Sequence, residues 1–354
     1  MNLEALGYQE FFDSFRNEHG LDTLEVGRVV AEHKERYVVR SSNGEYESEL
    51  IGKLRFTAES RYDFPAVGDW VAFTIYDEGK ALIHEIYPRY SIMERKAIGK
   101  SSDVQIIATN IDMALIVQAV DRDFNLNRLE RYLTLCNASD IQPIIVLSKT
   151  DLISSSELEL RLSMVKDRVG EISVVAISHV GNGYDSIKPL IQARKTYCLL
   201  GSSGVGKSTL LNHLLGDEYM KTSAISDSVN KGRHTTSHRE LIVLKDGGIL
   251  IDNPGMREVG ISDTGTGLET TFETIIELSE NCRFSDCTHI HEQGCAIIQA
   301  VEEGIIDEDA YNNFQKLERE KSFFESSALE RRKKDKEFGK MVKQVLKDKK
   351  KRKF

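Results

Sequence analysis

The run Gly201-Ser202-Ser203-Gly204-Val205-Gly206-Lys207-Ser208-Thr209 has the pattern Gly-x4-Gly-Lys-Ser. A loop of this kind wraps backbone N–H groups around a polyphosphate, with Lys207 reaching the β- and γ-phosphates and Ser208 ligating Mg²⁺. The chemistry requires a strand before the loop and a helix after it. Thr196-Tyr197-Cys198-Leu199-Leu200 reads as a short buried strand, and Thr209-Leu210-Leu211-Asn212-His213-Leu214-Leu215 has the apolar spacing of a helix. The positive end of that helix then faces the phosphates. A glycine-rich turn that merely happens to end in Lys-Ser is the bland alternative, and the strand–turn–helix context argues against it.

A second segment bears on the base. Ile144-Ile145-Val146-Leu147 reads as a buried strand running into Ser148-Lys149-Thr150-Asp151, at the carboxyl end where nucleotide sites of open α/β sheets lie. The Asp151 carboxylate can accept from guanine N1–H and the 2-amino group together, a pair of donors that adenine lacks. Lys149 would lay its aliphatic stem along the base. The usual form of this motif in GTPases is Asn-Lys-x-Asp, and Ser148 stands where Asn is expected. The shorter hydroxyl arm is expected to weaken both the contact to the base edge and the bridge toward the phosphate loop. Alone, Ser-Lys-Thr-Asp is a weak signal; paired with the phosphate loop it favours guanine.

The remaining nucleotide elements follow from the same logic. Ile249-Leu250-Ile251 is a third apolar strand, ending in Asp252-Asn253-Pro254-Gly255. Asp252 would hold Mg²⁺ through water, and the Gly255 N–H would sense the γ-phosphate. Gly232-Arg233-His234-Thr235-Thr236-Ser237 offers a threonine to the metal, either Thr235 or Thr236. Val174-Val175-Ala176-Ile177-Ser178-His179 reads as a strand whose Ser178 end would bring backbone N–H groups near guanine O6, a looser match.

The order of these motifs is unusual. In ordinary GTPases the phosphate loop comes first and the base-reading segments late, whereas here Ser148–Asp151 and Ser178 precede Gly201 and Asp252–Gly255 comes last, so the domain reads as circularly permuted. This order, together with Gly-Arg-His-Thr-Thr in the switch and the Cys/His cluster Cys282, Cys287, His289 and Cys295, resembles the RsgA (YjeQ-type) family of small ribosomal subunit biogenesis GTPases over essentially the whole chain. The resemblance implies the small ribosomal subunit and its 16S rRNA as partner, GTP hydrolysis stimulated by that subunit, and release of the factor late in 30S maturation. Nothing in composition or spacing shows a ribosome. Permutation also makes the stretch from Asp252 to about Ile261 the covalent lead into the C-terminal third, so residues beyond about 265 are expected to reorient with nucleotide state.

The Cys/His cluster has the pattern Cys-x4-Cys-x-His-x5-Cys, three thiolates and an imidazole that suit tetrahedral zinc. Four ligands leave no open position, so one structural Zn²⁺ is expected. His291 is a rival ligand two residues on; the resemblance favours His289. An accidental cluster without metal is the competing reading. Of the five cysteines only Cys136 and Cys198 lie elsewhere, each in an apolar run, and they read as buried thiols. The N-terminus carries Glu4 early and no long apolar stretch. Neither a signal peptide nor a spanning helix is expected, and the compartment is expected to be the reducing cytoplasm, with no membrane partner and a monomeric chain.

At 354 residues and 40% hydrophobic content the chain can bury about two or three cores. The expected organisation is multidomain: an N-terminal extension over 1–21, a β-barrel over 22–97, a circularly permuted α/β P-loop GTPase domain over 98–265, and a mainly α zinc-binding domain with a basic terminal helix over 266–354. Alternation in Val26-Gly27-Arg28-Val29-Val30, Arg36-Tyr37-Val38-Val39-Arg40 and Asp69-Trp70-Val71-Ala72-Phe73-Thr74, with turn signals at Ser41–Gly44 and Asp77–Lys80, supports the barrel. A five-stranded OB fold fits the length and is what the resemblance implies; its charged face reads equally as a nucleic-acid surface or as ordinary solvated strands. Leu3, Leu6, Phe11, Phe12 and Phe15 fall at near-helical spacing, as in a docking helix. The formal charge of −9 argues against nucleic acid, but Arg331-Arg332-Lys333-Lys334 and Lys349-Lys350-Lys351-Arg352-Lys353 concentrate cations at the C-terminus. Such a tail displaces counterions from RNA phosphates, or is only a solvated helix end.

Hydrolysis needs a group to orient the attacking water. Ras-type enzymes use a Gln after Asp-x-x-Gly, but here that position is Met256, which cannot. His234 is the candidate catalytic residue, a neutral imidazole able to hold the water or accept its proton; its competing role is packing or RNA contact. Arg233 is a weaker candidate for charge stabilisation. The expected activity is hydrolysis of GTP to GDP and phosphate, slow until a partner completes the site. Two alternatives stay open: a metabolic P-loop kinase, which has no use for Asp151 at a base, and a zinc-and-OB RNA-binding protein indifferent to nucleotide.

Overall fold

Alternating apolar residues near the N-terminus close a five-stranded barrel. In the computed structural model, which describes residues 2–33, 36–96, 104–180, 183–216, 240–252 and 266–325, the barrel strands are β1 (Glu25–His33), β2 (Arg36–Ser41), β3 (Glu45–Leu50), β4 (Trp70–Asp77) and β5 (Lys80–Ile86). They run in the order β1-β2-β3-β5-β4, and β4 returns to pair with β1. Val29, Tyr37, Val39, Val71, Phe73, Ala81 and Ile83 fill the lumen. The period of two explains the set, because Val71 and Phe73 point inward while Trp70 and Ala72 point the other way.

That outer face is covered by the N-terminus. A 3-10 turn, Leu3–Leu6, and a helix, Phe11–Glu18, lay Leu6 and Phe12 against Val26, Trp70, Ala72 and Tyr87. Burying Leu6 and Phe12 contributes on the order of 1.5–3 kcal/mol each. The amphipathic segment is therefore a docking helix.

A two-stranded sheet, β6 (Ile92–Lys96) with β7 (Val104–Thr109), leads into the nucleotide-binding sheet. Its strands are β8 (Met113–Ala119), β9 (Gln142–Ser148), β10 (Val174–Ala176), β11 (Thr196–Leu200), β12 (Glu240–Val243) and β13 (Ile249–Asp252). The order is β10-β9-β8-β11-β13-β12, with β12 continuing onto β1 of the barrel. All but β12 are mutually parallel. Parallel strands are covered on both faces and read as continuous apolar runs, which is why every residue of β8 and β11 is buried. The strands from β8 to β10 step outward on one side, and β11 with β13 lies on the other, so the order reverses between β8 and β11. Ligands of such sheets sit at the carboxyl ends beside that reversal.

A buried arginine ties barrel to sheet. Arg28 of β1 donates from Nε to the Gly68 carbonyl (3.0 Å), from Nη1 to the Leu6 carbonyl (2.6 Å) and Thr196 Oγ1 (2.9 Å), and from Nη2 to the Asn110 carbonyl (2.9 Å). Barrel and nucleotide sheet belong to one compact unit, Met1–Gly260, and a second unit covers Ile261–Phe354. The second is helical where described: Gly267–Thr271, Glu273–Ser279, Ala296–Glu302 and Glu308–Glu325. Leu268, Phe272, Ile275, Ile297, Phe314 and Leu317 are buried there. No described helix is long and apolar enough to cross a membrane.

A candidate nucleotide site and a candidate metal centre

The phosphate loop leaves β11 and enters the helix Lys207–Leu215, as its sequence requires. Two glycines show why. A Cβ on Gly201 would lie 2.3 Å from the Val117 carbonyl oxygen of the neighbouring β8, and Gly206, at φ +99°, occupies the left-handed region just ahead of the helix. Lys207 turns back over the loop, its Nζ donating to the carbonyls of Gly201 and Ser202 at 2.6 Å each. Val205 is buried, while Ser203, Gly204, Ser208 and Thr209 are exposed at the mouth.

The segment expected to read the base meets the same loop. Ser148, fully buried at the end of β9, donates its hydroxyl to the Val205 carbonyl at 2.5 Å. The expected weakening of this bridge is thus not what the structure shows, because the buried strand end brings the short side chain right up to the loop. Lys149 has a left-handed backbone, φ 60°, and its Nζ pairs with Asp121 Oδ2 at 2.9 Å. Thr150 Oγ1 donates to the Ile177 carbonyl at 3.0 Å. Asp151 Oδ1 accepts from the His179 N–H at 3.0 Å and from Ser178 Oγ at 3.1 Å. The His179 N–H above all, aided by Ser178, holds the Asp151 carboxyl below the usual carboxylate range. β10 ends at Ala176, so Ser178 lies in the loop beyond it and not in a strand.

Asp252 ends β13, opposite Glu240 in the antiparallel register. Burial pushes its carboxyl up and Glu240 adds to this, while Lys207 opposes it. A half-buried carboxylate within the field of Lys207, on the strand beside β11, and the Ser208 hydroxyl in the first turn of the helix that follows the loop, are hard oxygen donors of the kind that suit Mg²⁺. Arg233, His234, Thr235, Thr236, Gly255, Met256 and the cations from Arg331 to Lys353 lie outside the described residues.

Four residues around the site were not singled out in the sequence. Asp121 follows β8; burial raises its carboxyl, but the Lys149 ammonium and the Asp123 N–H outweigh this and hold it low. Its position just past an apolar strand was a usable signal. Arg128 Nη1 donates to Ser202 Oγ at 2.7 Å, a contact that no local pattern announces. His179 places its ring 3.5 Å from where a Cβ on Gly206 would sit, and its Nδ1 shares a 2.5 Å hydrogen bond with Tyr184 OH. Tyr184 in turn stacks on His213 of the phosphate-loop helix at 4.5 Å between centroids.

In the second unit Cys282, Cys287, His289 and Cys295 bring their ligand atoms within 4.8 Å of one another, and His291 is not among them. A tetrahedral zinc with the usual bond lengths sets sulfurs about 3.8 Å apart and sulfur to nitrogen about 3.5 Å. The structure has Cys282 Sγ to Cys295 Sγ at 3.8 Å, and His289 Nδ1 to these sulfurs at 3.6 and 3.5 Å. The donor set therefore fits a tetrahedral metal ion. His289 adopts φ 58°, and its carbonyl accepts from Tyr311 OH and Gln315 Nε2 of the helix Glu308–Glu325. Glu292, also unforeseen, gathers the N–H groups of Thr288, Ile290 and His291; with the Thr288 hydroxyl contributing most, they hold its carboxyl far below the usual range. Cys136 and Cys198 are buried within the first unit.

Comparison with known proteins agrees with this geometry. A family model described as RsgA GTPase matches residues 86–262. A second, described as ABC transporter, matches 184–351, a range that holds the phosphate loop but not Ser148–Asp151. The small ribosomal subunit biogenesis GTPase RsgA of Opitutus terrae is 38% identical over 338 residues, covering 91% of this chain and 90% of that protein. RsgA 2 of Lactiplantibacillus plantarum is 42% identical over 317 residues, covering 89% of each. Among solved structures, YjeQ from Thermotoga maritima aligns with a TM-score of 0.61 at 25% identity over 84% of this chain and 98% of that one. YloQ, described as a circularly permuted GTPase, aligns with a TM-score of 0.61 at 26% identity over 87% and 99%. The phosphate loop is thus that of a GTP-hydrolysing enzyme, and the chain belongs to the RsgA GTPase family.

Proposed function

We propose that the protein hydrolyses GTP to GDP and phosphate during late maturation of the 30S subunit, and that the small ribosomal subunit, through its 16S rRNA, stimulates the reaction. The names of its relatives support the partner. The observation that supports the nucleotide reading is the hydrogen bond from Ser148 to the Val205 carbonyl, which joins the strand end just ahead of Asp151 to the phosphate loop.

In this reading Asp151 accepts from the guanine edge, Ser178 and His179 orient that carboxylate, and Lys149 lies along the base. Backbone N–H groups from Gly201 to Thr209 and the Lys207 ammonium hold the phosphates. Ser208, Asp252 and either Thr235 or Thr236 would hold Mg²⁺, which neutralises charge on the β- and γ-phosphates. The Gly255 N–H senses the γ-phosphate. His234 orients the attacking water and takes its proton as the water oxygen bonds to the γ-phosphorus and the bridging oxygen leaves with GDP. Cys282, Cys287, His289 and Cys295 would hold one structural Zn²⁺, and the basic tail would meet rRNA phosphates. The divisions 1–21, 22–97, 98–265 and 266–354 remain the proposed functional segments, in a monomer acting in the cytoplasm.

The test is GTP turnover measured with and without purified small subunits. Stimulation by the subunit is expected, and a rate indifferent to it overturns the partner. His234→Ala is expected to lower turnover with nucleotide affinity kept; unchanged turnover removes His234 from the mechanism.

A further inference from the structure

The phosphate loop is held by a cation that its own motif does not contain. Arg128 lies in the first turn of the helix Leu126–Ala138, which Asn125 caps by accepting the Arg128 N–H at 2.8 Å. This helix follows β8, and β8 is the hydrogen-bonded neighbour of β11. Its first turn is thereby brought to the phosphate loop, where Arg128 Nη1 meets Ser202 Oγ at 2.7 Å. Tyr132, one turn further along the same helix, is buried. From the opposite side the Ser202 carbonyl accepts from Lys207. Ser202 is clamped at both ends of its residue.

Charge makes the arrangement more than packing. Among the described residues no carboxylate forms an ion pair with Arg128, whereas the nearby Arg168 is neutralised by Glu130. A guanidinium with no counter-ion among the described residues, hydrogen-bonded to a loop that already carries Lys207, raises the positive potential where phosphate oxygens arrive. Its fork geometry also fixes the serine more firmly than an ammonium could.

We propose that Arg128 is a positioning residue for nucleotide binding: through Ser202 it holds the entrance of the phosphate loop in its binding form and adds a positive charge felt by di- and triphosphates. This rests on the reading that Gly201–Thr209 holds the phosphates of GTP. The contribution must grow with the phosphate chain and vanish for the bare nucleoside, which a purely structural role would not produce.

The experiment compares the full chain with R128Q, R128K, S202A and the R128Q/S202A double variant. Affinities for GTP, GDP and guanosine are read by competition against a fluorescent GDP, beside melting curves. R128Q is expected to weaken GTP and GDP roughly tenfold and guanosine less than about twofold, the scale of one charge-assisted hydrogen bond. R128K should recover part of the loss, and R128Q should cost less in the S202A background than in the parent. GDP binding by R128Q equal to that of the parent, or an equal loss for guanosine and GDP, overturns the inference. A parent chain that binds no guanine nucleotide overturns the reading of the site itself, and this inference with it.

Discussion

The Ser148 hydroxyl reaches the Val205 carbonyl at 2.5 Å, so the end of β9 and the phosphate loop are joined by a buried hydrogen bond across β8. Ser148→Ala removes the donor and leaves a desolvated carbonyl in the loop, a loss of about 1–3 kcal/mol. The expected result is weaker binding of GTP and GDP alike with guanine preference kept, measured by titration calorimetry. Binding equal to the parent would show that the bridge does not order the loop.

In the proposed reading Asp151 is a pure acceptor for a base that offers two donors. Asp151→Asn replaces one acceptor oxygen by an amide donor, which suits a base bearing a carbonyl where guanine has its amino group. The variant is expected to lose roughly two orders of magnitude in GTP affinity while gaining xanthosine triphosphate. Competition between the two nucleotides checks this, and retained GTP preference would remove Asp151 from the base.

Thiol reactivity separates the metal centre from the core. Burial pushes the Cys198 thiol up to about 12 and raises Cys136 well above its ordinary value, and the thiolate is the reactive form. With chelator present, iodoacetamide is expected to alkylate Cys282, whose thiol burial raises but the Ala296 and Ile297 N–H groups hold below its ordinary value, and to spare Cys136 and Cys198, as mass spectrometry of peptides would show. Protection of all five under chelator would oppose a metal at the cluster, as would absence of stoichiometric zinc from the purified protein.

Arg28 satisfies three backbone carbonyls and the Thr196 hydroxyl from a fully buried position. Arg28→Met keeps much of the volume but strands those acceptors, so a loss of about 3 kcal/mol or more is expected. The urea midpoint reads it. Arg28→Lys should recover little, because one ammonium cannot span acceptors that the fork reaches in different directions.

The parts legible in the sequence are those written in local spacing. The phosphate loop, the strand ending at Ser148, the barrel alternation and the Cys/His set each depend on neighbours in the chain, and each stands where its pattern puts it. What escaped depends on tertiary approach. Arg128 meets Ser202 across 74 positions and Arg28 meets Thr196 across 168, and no periodicity encodes either contact. The Ser148 bridge was underestimated for the same reason: side-chain length was visible, but the closeness of the loop was not. Ser178 falls beyond β10 because the strand yields to a loop fixed by Asp151, and a run of apolar residues does not announce where pairing stops.

Ala31 of β1 is paired with Glu240 of β12, so the strand beside β13 has a neighbour on both sides. Were the barrel trimmed away, β12 would present bare amide and carbonyl groups, a template for strand addition between molecules. The barrel thus doubles as a shield against aggregation. A lineage that lost it would have to solve the solubility of its enzyme before it could dispense with any contact the barrel makes.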